Sequence, residues 1–151
     1  MVKIDLQNDE GLENIPAPGL LNHWVESSLL TDHDQLEQTI RVVGESESRS
    51  LNLQYRMIDS PTNVLSFPSK SEYLDYECLG DLVICSPLVI DEALQQGKSL
   101  EAHWAHMVVH GMLHLQDFDH GNDIEAAKME TLEVKILSTL GYSNPYNDQV
   151  P

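Results

Sequence analysis

Residues 110–120 read His110-Gly111-Met112-Leu113-His114-Leu115-Gln116-Asp117-Phe118-Asp119-His120. The three histidines have the spacing H-x3-H-x5-H, which is typical of a metal site. Side chains four residues apart lie on one face of an α-helix, about 6 Å apart along its axis, so two imidazoles at this spacing can bind one ion. A third ligand must come from a chain that turns back, and His120 is placed to supply it. The stretch predicts a zincin-like metal helix followed by a turn.

His106 is the alternative third ligand, because it precedes His110 by the same four residues. Along a straight helix, however, His106 and His114 are separated by about 12 Å, whereas zinc–nitrogen bonds are only about 2.1 Å long. We therefore expect His110, His114 and His120 to be the ligands. Three protein ligands leave a fourth position for water or substrate, as in catalytic zinc sites. Two alternatives stay open: these are ordinary helix and turn histidines, or a carboxylate completes a structural site.

The expected cofactor is one Zn²⁺ per chain. Imidazole ligands also suit Ni²⁺ and other divalent transition metals, and abundance is what favours zinc. The two cysteines, Cys78 and Cys85, do not have the spacing of metal ligands. We expect both to be reduced thiols.

The length of 151 residues and the hydrophobic content of 41% fit one domain with a sizeable core, spanning residues 1–151. No stretch approaches the ~18 consecutive apolar residues of a membrane helix, and the amino terminus lacks the pattern of an export signal. We therefore expect a cytoplasmic protein without a membrane partner.

The formal net charge of −17 argues against nonspecific binding to duplex nucleic acid, and no DNA partner is expected. Cationic residues are concentrated in residues 41–70, which contain Arg41, Arg49, Arg56 and Lys70. Charges are screened over about 8 Å at physiological salt, so a local cationic site can still bind an anion.

The remaining patterns intermingle strands and helices without strict alternation, which predicts an α+β domain with a small mixed β-sheet and packed helices. Pro61 and Pro68 bracket an apolar run that we predict to be an edge strand, whose backbone groups can receive an extended ligand. Leu53 and its neighbours are expected to face the core from a helix. Strands are predicted at residues 3–6, 39–43, 62–67 and 80–85, and helices from Pro18, at 46–56, 87–96 and 101–115, and ending near 140.

Several motifs follow one another in the order of a known family. They are Tyr55-Arg56, the run from Asp59 to Pro68, the run from Gly80 to Cys85, and Leu140-Gly141-Tyr142. Together with the histidine motif they make the chain resemble the YbeY family over residues 38–146.

This resemblance implies a single-strand-specific, metal-dependent endoribonuclease. Such an enzyme matures the 3′ end of 16S ribosomal RNA and acts in ribosome biogenesis and quality control. Its implied partners are single-stranded RNA, ribosomal RNA and components of the ribosome or its small subunit. The resemblance also implies His110, His114 and His120 as zinc ligands and Arg56 as the functional arginine beside them.

The chain departs from the family pattern at two places. Asp117 stands where the family usually has glycine, although aspartate can adopt a positive φ at moderate cost. The family often reads Y-R-G-K-D-R/K-P around its arginine, whereas Met57, Ile58 and Ser60 stand here. Anion binding is therefore expected to depend more heavily on Arg56.

Three further residues lie near the motif, namely His103, His106 and Asp119. Asp119 could orient a ligand imidazole or act as a base, although an acidic residue in a turn is commonly a turn former. His103 and His106 are expected to be buried histidines bonded to backbone or water rather than catalytic groups.

Two other functions compete with RNA cleavage. Metzincin proteases, with H-E-x-x-H-x-x-G-x-x-H, also place a third histidine ten residues after the first. Gly111 replaces their glutamate base here, so metalloprotease-like peptide hydrolysis is not expected. The other alternative is a non-enzymatic ribosome-assembly factor in which the metal is structural.

Overall fold

The computed structural model describes residues 2–69, 78–116 and 122–146. Strands and helices alternate irregularly along this part of the chain, as the sequence predicted. In chain order the elements are β1 (Val2–Gln7), α1 (Pro18–Ser27), β2 (Leu36–Val43), α2 (Glu45–Arg56), β3 (Val64–Pro68), β4 (Gly80–Cys85), α3 (Ser86–Gln96), α4 (Leu100–Leu115) and α5 (Asp123–Leu140).

The four described strands form one mixed sheet in the order β1-β2-β4-β3, which confirms the predicted α+β class. β1, β2 and β4 run parallel, and β3 pairs antiparallel with β4, from Val64 opposite Ile84 to Pro68 opposite Gly80. The prediction that β3 is an edge strand is confirmed. Its edge position explains how Pro68, which has no N–H, is tolerated in the sheet.

The helix that carries the histidine motif, α4, lies in the centre of the main core. It contacts β3 and β4 on the sheet and packs against α1, α3 and α5. Large side chains of α4, such as Trp104, Met112 and Leu113, are fully buried. A helix that is apolar around most of its circumference is stable only when neighbours cover it on several sides.

Gly111 marks the closest approach of α4 to the sheet. A Cβ atom at this position would lie 2.7 Å from Cδ2 of Leu82 and 3.3 Å from Cγ2 of Val64. Leu82 is itself completely buried, so it has little room to move away. The position that a metzincin fills with glutamate therefore has no space for a side chain here.

Helix α2 packs against β2 and β4, and a second small cluster of buried residues forms there from Val43, Leu65, Val83 and Cys85. These residues alternate along their strands with residues of the main core, so α2 covers the opposite face of the sheet from α4. Arg56, at the end of α2, and the predicted metal ligands of α4 are thus carried by different layers.

The expectation that Leu53 faces the core is wrong, because its side chain is 46% exposed. The buried residues of α2 are polar, namely Ser48 and Asn52. The hydroxyl of Ser48 donates to the carbonyl of Thr62 at 2.7 Å, and the amide of Asn52 donates to the carbonyl of Ser60 at 2.8 Å. These bonds tie the helix to the following loop, while Leu51 packs against the second cluster of buried residues.

The expectation that Cys78 and Cys85 are free thiols is confirmed. Burial raises the pKa of the Cys85 thiol. None of the helices in the described ranges is both long and apolar enough to cross a membrane.

Candidate metal centre

His110 and His114 lie in the last two turns of α4, and their rings converge. The two Nε2 atoms are 3.2 Å apart and the ring centroids are 4.7 Å apart. Two nitrogens that are each about 2.0–2.1 Å from a tetrahedral metal ion are separated by about 3.3–3.4 Å. The pair therefore already has the spacing of two ligands of one ion.

The third predicted ligand, His120, lies outside the described residues, and so does Asp119. Lys70, one of the four cations of the 41–70 stretch, also falls outside them. The roles assigned to these residues stay predictions.

A buried carboxylate lies beside His110, and the sequence analysis missed it. Glu133 of α5 is completely buried, with Oε1 2.5 Å from Nδ1 of His110. Its other oxygen, Oε2, is 3.0 Å from Nε2 of His106 and also accepts a hydrogen bond from the hydroxyl of Tyr146. The three partners approach Glu133 from α4 and from the segment that follows α5.

These hydrogen bonds keep Glu133 ionised. Burial alone would raise the pKa of a carboxyl group, but the bonds with His106 and His110, supported by Tyr146, hold the pKa of Glu133 at about 2. The site therefore contains a permanent negative charge at neutral pH. Burial, together with the bond to Glu133, raises the pKa of the Tyr146 hydroxyl, which remains a donor.

His106, His110 and Glu133 form a cluster that could hold a metal ion. Each offers one ligand atom, and these atoms lie within 4.8 Å of one another. The distance of about 12 Å along the helix excludes His106 and His114 as joint ligands, but it does not exclude this cluster. Here His106 is combined with His110, and the third donor, Glu133, comes from another helix. A signal was present in the sequence: Glu133 lies midway between Met129 and Leu137, so it interrupts an apolar row of an amphipathic helix.

His103 and His106 are buried, as expected, but their partners were predicted incorrectly. His106 is bonded to Glu133, and Nε2 of His103 lies 2.8 Å from Oε1 of Glu92, to which Asn63 also donates at 3.1 Å. Carboxylates therefore bond the Nε2 atoms of both rings, whereas neither Nδ1 atom has a hydrogen-bond partner among the described residues. Burial is the main reason that the pKa of His103 is lowered.

The predicted functional arginine, Arg56, is the last residue of α2 and is exposed. Within the described ranges it makes no ion pair, whereas Arg41 is bound by Glu47 at 2.6 Å and Arg49 by Asp59 at 2.6 Å. The hydrogen bond with Glu47 contributes most to raising the pKa of Arg41. Two of the cations of the 41–70 stretch are thus neutralised locally, whereas Arg56 has no carboxylate partner among the residues that the structure describes.

Comparison with known proteins connects these observations to a family. The family model described as Endoribonuclease YbeY matches residues 5–141. The chain also matches the solution structure of TM1509 from Thermotoga maritima, with 28% sequence identity and a TM-score of 0.52, over 100% of this chain and 98% of that chain. The matched family is one of nucleases, which fits a hydrolase with an RNA substrate. The chain belongs to the YbeY endoribonuclease family.

Proposed function

We propose that this chain, as one domain spanning residues 1–151, is a metal-dependent endoribonuclease. It cuts single-stranded RNA in the cytoplasm and acts on the 3′ end of 16S ribosomal RNA, in association with components of the small ribosomal subunit. The observation that carries the proposal is the 3.2 Å separation of the Nε2 atoms of His110 and His114 in a chain of this nuclease family.

The residues that would hold the metal are His110, His114 and His120. The first two fit a transition-metal ion because their nitrogens are spaced as two corners of a tetrahedron, and zinc is the expected ion. When bound by three neutral imidazoles, zinc supplies a water of pKa about 7 and polarises a phosphoryl oxygen.

Arg56 binds a phosphate of the RNA in this proposal. Its guanidinium is planar and can donate two parallel hydrogen bonds to phosphate oxygens. Its exposure, and the absence of a carboxylate partner in the part of the chain that the structure describes, support this role. The guanidinium would stabilise the extra negative charge that develops at phosphorus as the diester is cut.

The RNA strand lies along β3. The hydroxyl of Ser66 on this strand donates to the carbonyl of Gly111, so β3 runs directly beside the helix that carries His110 and His114. An extended, unpaired RNA strand can follow the edge strand of the described sheet, whereas a rigid duplex cannot bend into it. This arrangement supports selectivity for single strands.

The test is cleavage of a labelled single-stranded RNA and of the matching duplex by the native chain, Arg56→Glu and Arg49→Glu. We expect cleavage of the single strand only. Arg56→Glu should lower the rate by about 100-fold, since a charge-stabilising donor is replaced by a like charge. Arg49→Glu is the matched control, because it reverses a second exposed arginine of the same helix, and it should retain the rate within about 3-fold.

Two results would reject the proposal, with folding checked by circular dichroism. Equal cleavage by the native chain and Arg56→Glu would remove Arg56 from the reaction. Binding to the small ribosomal subunit without any RNA cleavage would instead identify an assembly factor. Peptide hydrolysis is disfavoured because Gly111 leaves no space for a general base.

A further inference from the structure

We infer that Glu133 is a positioning residue of the metal centre: its carboxylate holds the Nδ1 side of His110 so that Nε2 faces His114. The inference rests on the proposed function, because it takes His110 and His114 as ligands of one ion. It assigns Glu133 a place outside the coordination sphere, although its oxygens lie close enough to His106 and His110 to suggest a shared ion.

Two distances distinguish these arrangements. Donor atoms that share a tetrahedral zinc ion are about 3.3–3.4 Å apart. Oε1 of Glu133 is only 2.5 Å from Nδ1 of His110, which is a direct hydrogen-bond contact and is too short for both atoms to be ligands of one tetrahedral ion. The 3.2 Å between the Nε2 atoms of His110 and His114 fits two ligands instead.

The chemistry of the imidazole ring links these two contacts. In the contact between Oε1 of Glu133 and Nδ1 of His110 the carboxylate oxygen accepts, so Nδ1 of His110 carries the proton. The lone pair is then on Nε2, which is the atom that faces His114. A carboxylate bonded in this way fixes the tautomer and the ring orientation of a metal-binding histidine and makes the ring a better ligand.

Glu133 is itself held from three sides. Oε1 bonds His110, while Oε2 bonds both His106 and the hydroxyl of Tyr146. A fully buried carboxylate is tolerated only when it is hydrogen-bonded in this way. His106, which the histidine spacing excludes as a ligand beside His114, therefore supports the centre indirectly by fixing Glu133.

The test compares Glu133→Gln with Glu130→Gln. Glu130 lies one turn earlier on the same helix and is exposed, so the control removes the same charge without touching the centre. Zinc affinity is measured by competition with a chromophoric chelator. We expect Glu133→Gln to weaken zinc binding by about 10- to 100-fold and Glu130→Gln to change it by less than about 2-fold.

A second readout observes the hydrogen bond itself. In ¹⁵N-edited NMR spectra the Nδ1–H proton of His110 should appear far downfield in the native chain, with and without zinc, and should move upfield in Glu133→Gln. If that variant fails to fold, Tyr146→Phe replaces it, because it removes only a hydroxyl from Glu133. It should weaken zinc binding by a few-fold while the proton signal is retained.

The outcomes separate this inference from the proposed function. Equal zinc affinity of Glu133→Gln and Glu130→Gln would overturn the positioning role. Loss of the His110 Nδ1–H signal when zinc is added to the native chain would also overturn it, since that nitrogen would then be a ligand. In both cases a loss of binding in His114→Ala would leave the proposed metal site intact. Failure of the native chain to bind zinc would reject both.

Discussion

The hydroxyl of Ser66 donates a hydrogen bond of 3.2 Å to the backbone carbonyl of Gly111, which joins the edge strand β3 to the metal helix α4. This contact requires close approach of the two backbones, and the missing side chain at Gly111 allows it. The position of His110 and His114 relative to β3, the edge strand of the described sheet, therefore depends on one glycine.

We predict that Gly111→Ala destabilises the chain by about 1 kcal/mol. The added methyl group would overlap Leu82, which costs about 1–3 kcal/mol in a packed core, and the higher helix propensity of alanine offsets about 1 kcal/mol. Urea unfolding measures the difference. Gly19→Ala is the matched control, because a Cβ at this helical glycine meets nothing within 4 Å. A gain in stability for Gly111→Ala would contradict the close approach.

We predict that Met57→Gly stabilises the chain by about 0.5–1 kcal/mol. Met57 ends α2 with a positive φ of 61°, a conformation that glycine adopts without steric cost. Its side chain is 85% exposed, so little packing is lost. Gln54→Gly is the control, because it places a glycine at an exposed interior position of the same helix. This variant should destabilise the folded chain by about 1 kcal/mol. If thermal melts show that Met57→Gly and Gln54→Gly shift the melting temperature in the same direction, this account is rejected.

We predict that stability falls as the pH drops below about 6.5, in part because of His103. Burial lowers the pKa of this ring, so the native state binds fewer protons than the unfolded chain, in which histidine titrates near 6.5. Glu92 opposes the shift, while His106 and Lys98 favour it. His103 therefore contributes stability above pH 6.5 that is lost as the pH falls through the lowered pKa.

The measurement is urea unfolding of metal-free native chain and of His103→Gln at pH 7.5 and pH 5.5. The native chain should lose more stability between the two pH values than the variant does. The Nδ1 atom of His103 has no hydrogen-bond partner among the described residues, so protonation would also bury an unpaired N–H group. An equal loss in both chains would mean that other groups account for the acid sensitivity.

We predict that chelation abolishes RNA cleavage and lowers the melting temperature. A ligand that binds only the folded state stabilises it by about 2.7 kcal/mol at 100 times its dissociation constant. Scanning calorimetry with zinc and with a chelator measures this difference. His114→Ala should melt at the same temperature in both solutions. A chelator effect of equal size in that variant would place the stabilising ion elsewhere.

The sequence was sufficient for the element types and for the edge position of β3. Helix periodicity and the two prolines around the 62–67 run are local signals, and the structure agrees with both. The parallel pairing of β1, β2 and β4 depends on contacts between distant residues, which no local pattern encodes.

The hydrogen-bond partners of buried polar side chains were the main feature that could not be predicted from the sequence. Leu53 was placed in the core by its apolarity alone, whereas Ser48 and Asn52 are buried because the following loop offers them carbonyl groups. Glu133 and Tyr146 come next to the histidine helix only when α5 folds back onto it. Such pairings depend on tertiary packing. The His110–His114 pair could therefore be predicted from the sequence, whereas the carboxylate of Glu133 beside His110 could not.

The most direct test of the central claim is an anomalous difference map at the zinc absorption edge from crystals of zinc-loaded protein. We predict one peak about 2.0–2.1 Å from the Nε2 atoms of both His110 and His114, with His120 as the third protein ligand. A peak coordinated by His106 and Glu133 instead, or a map without a peak at His114, would contradict the account.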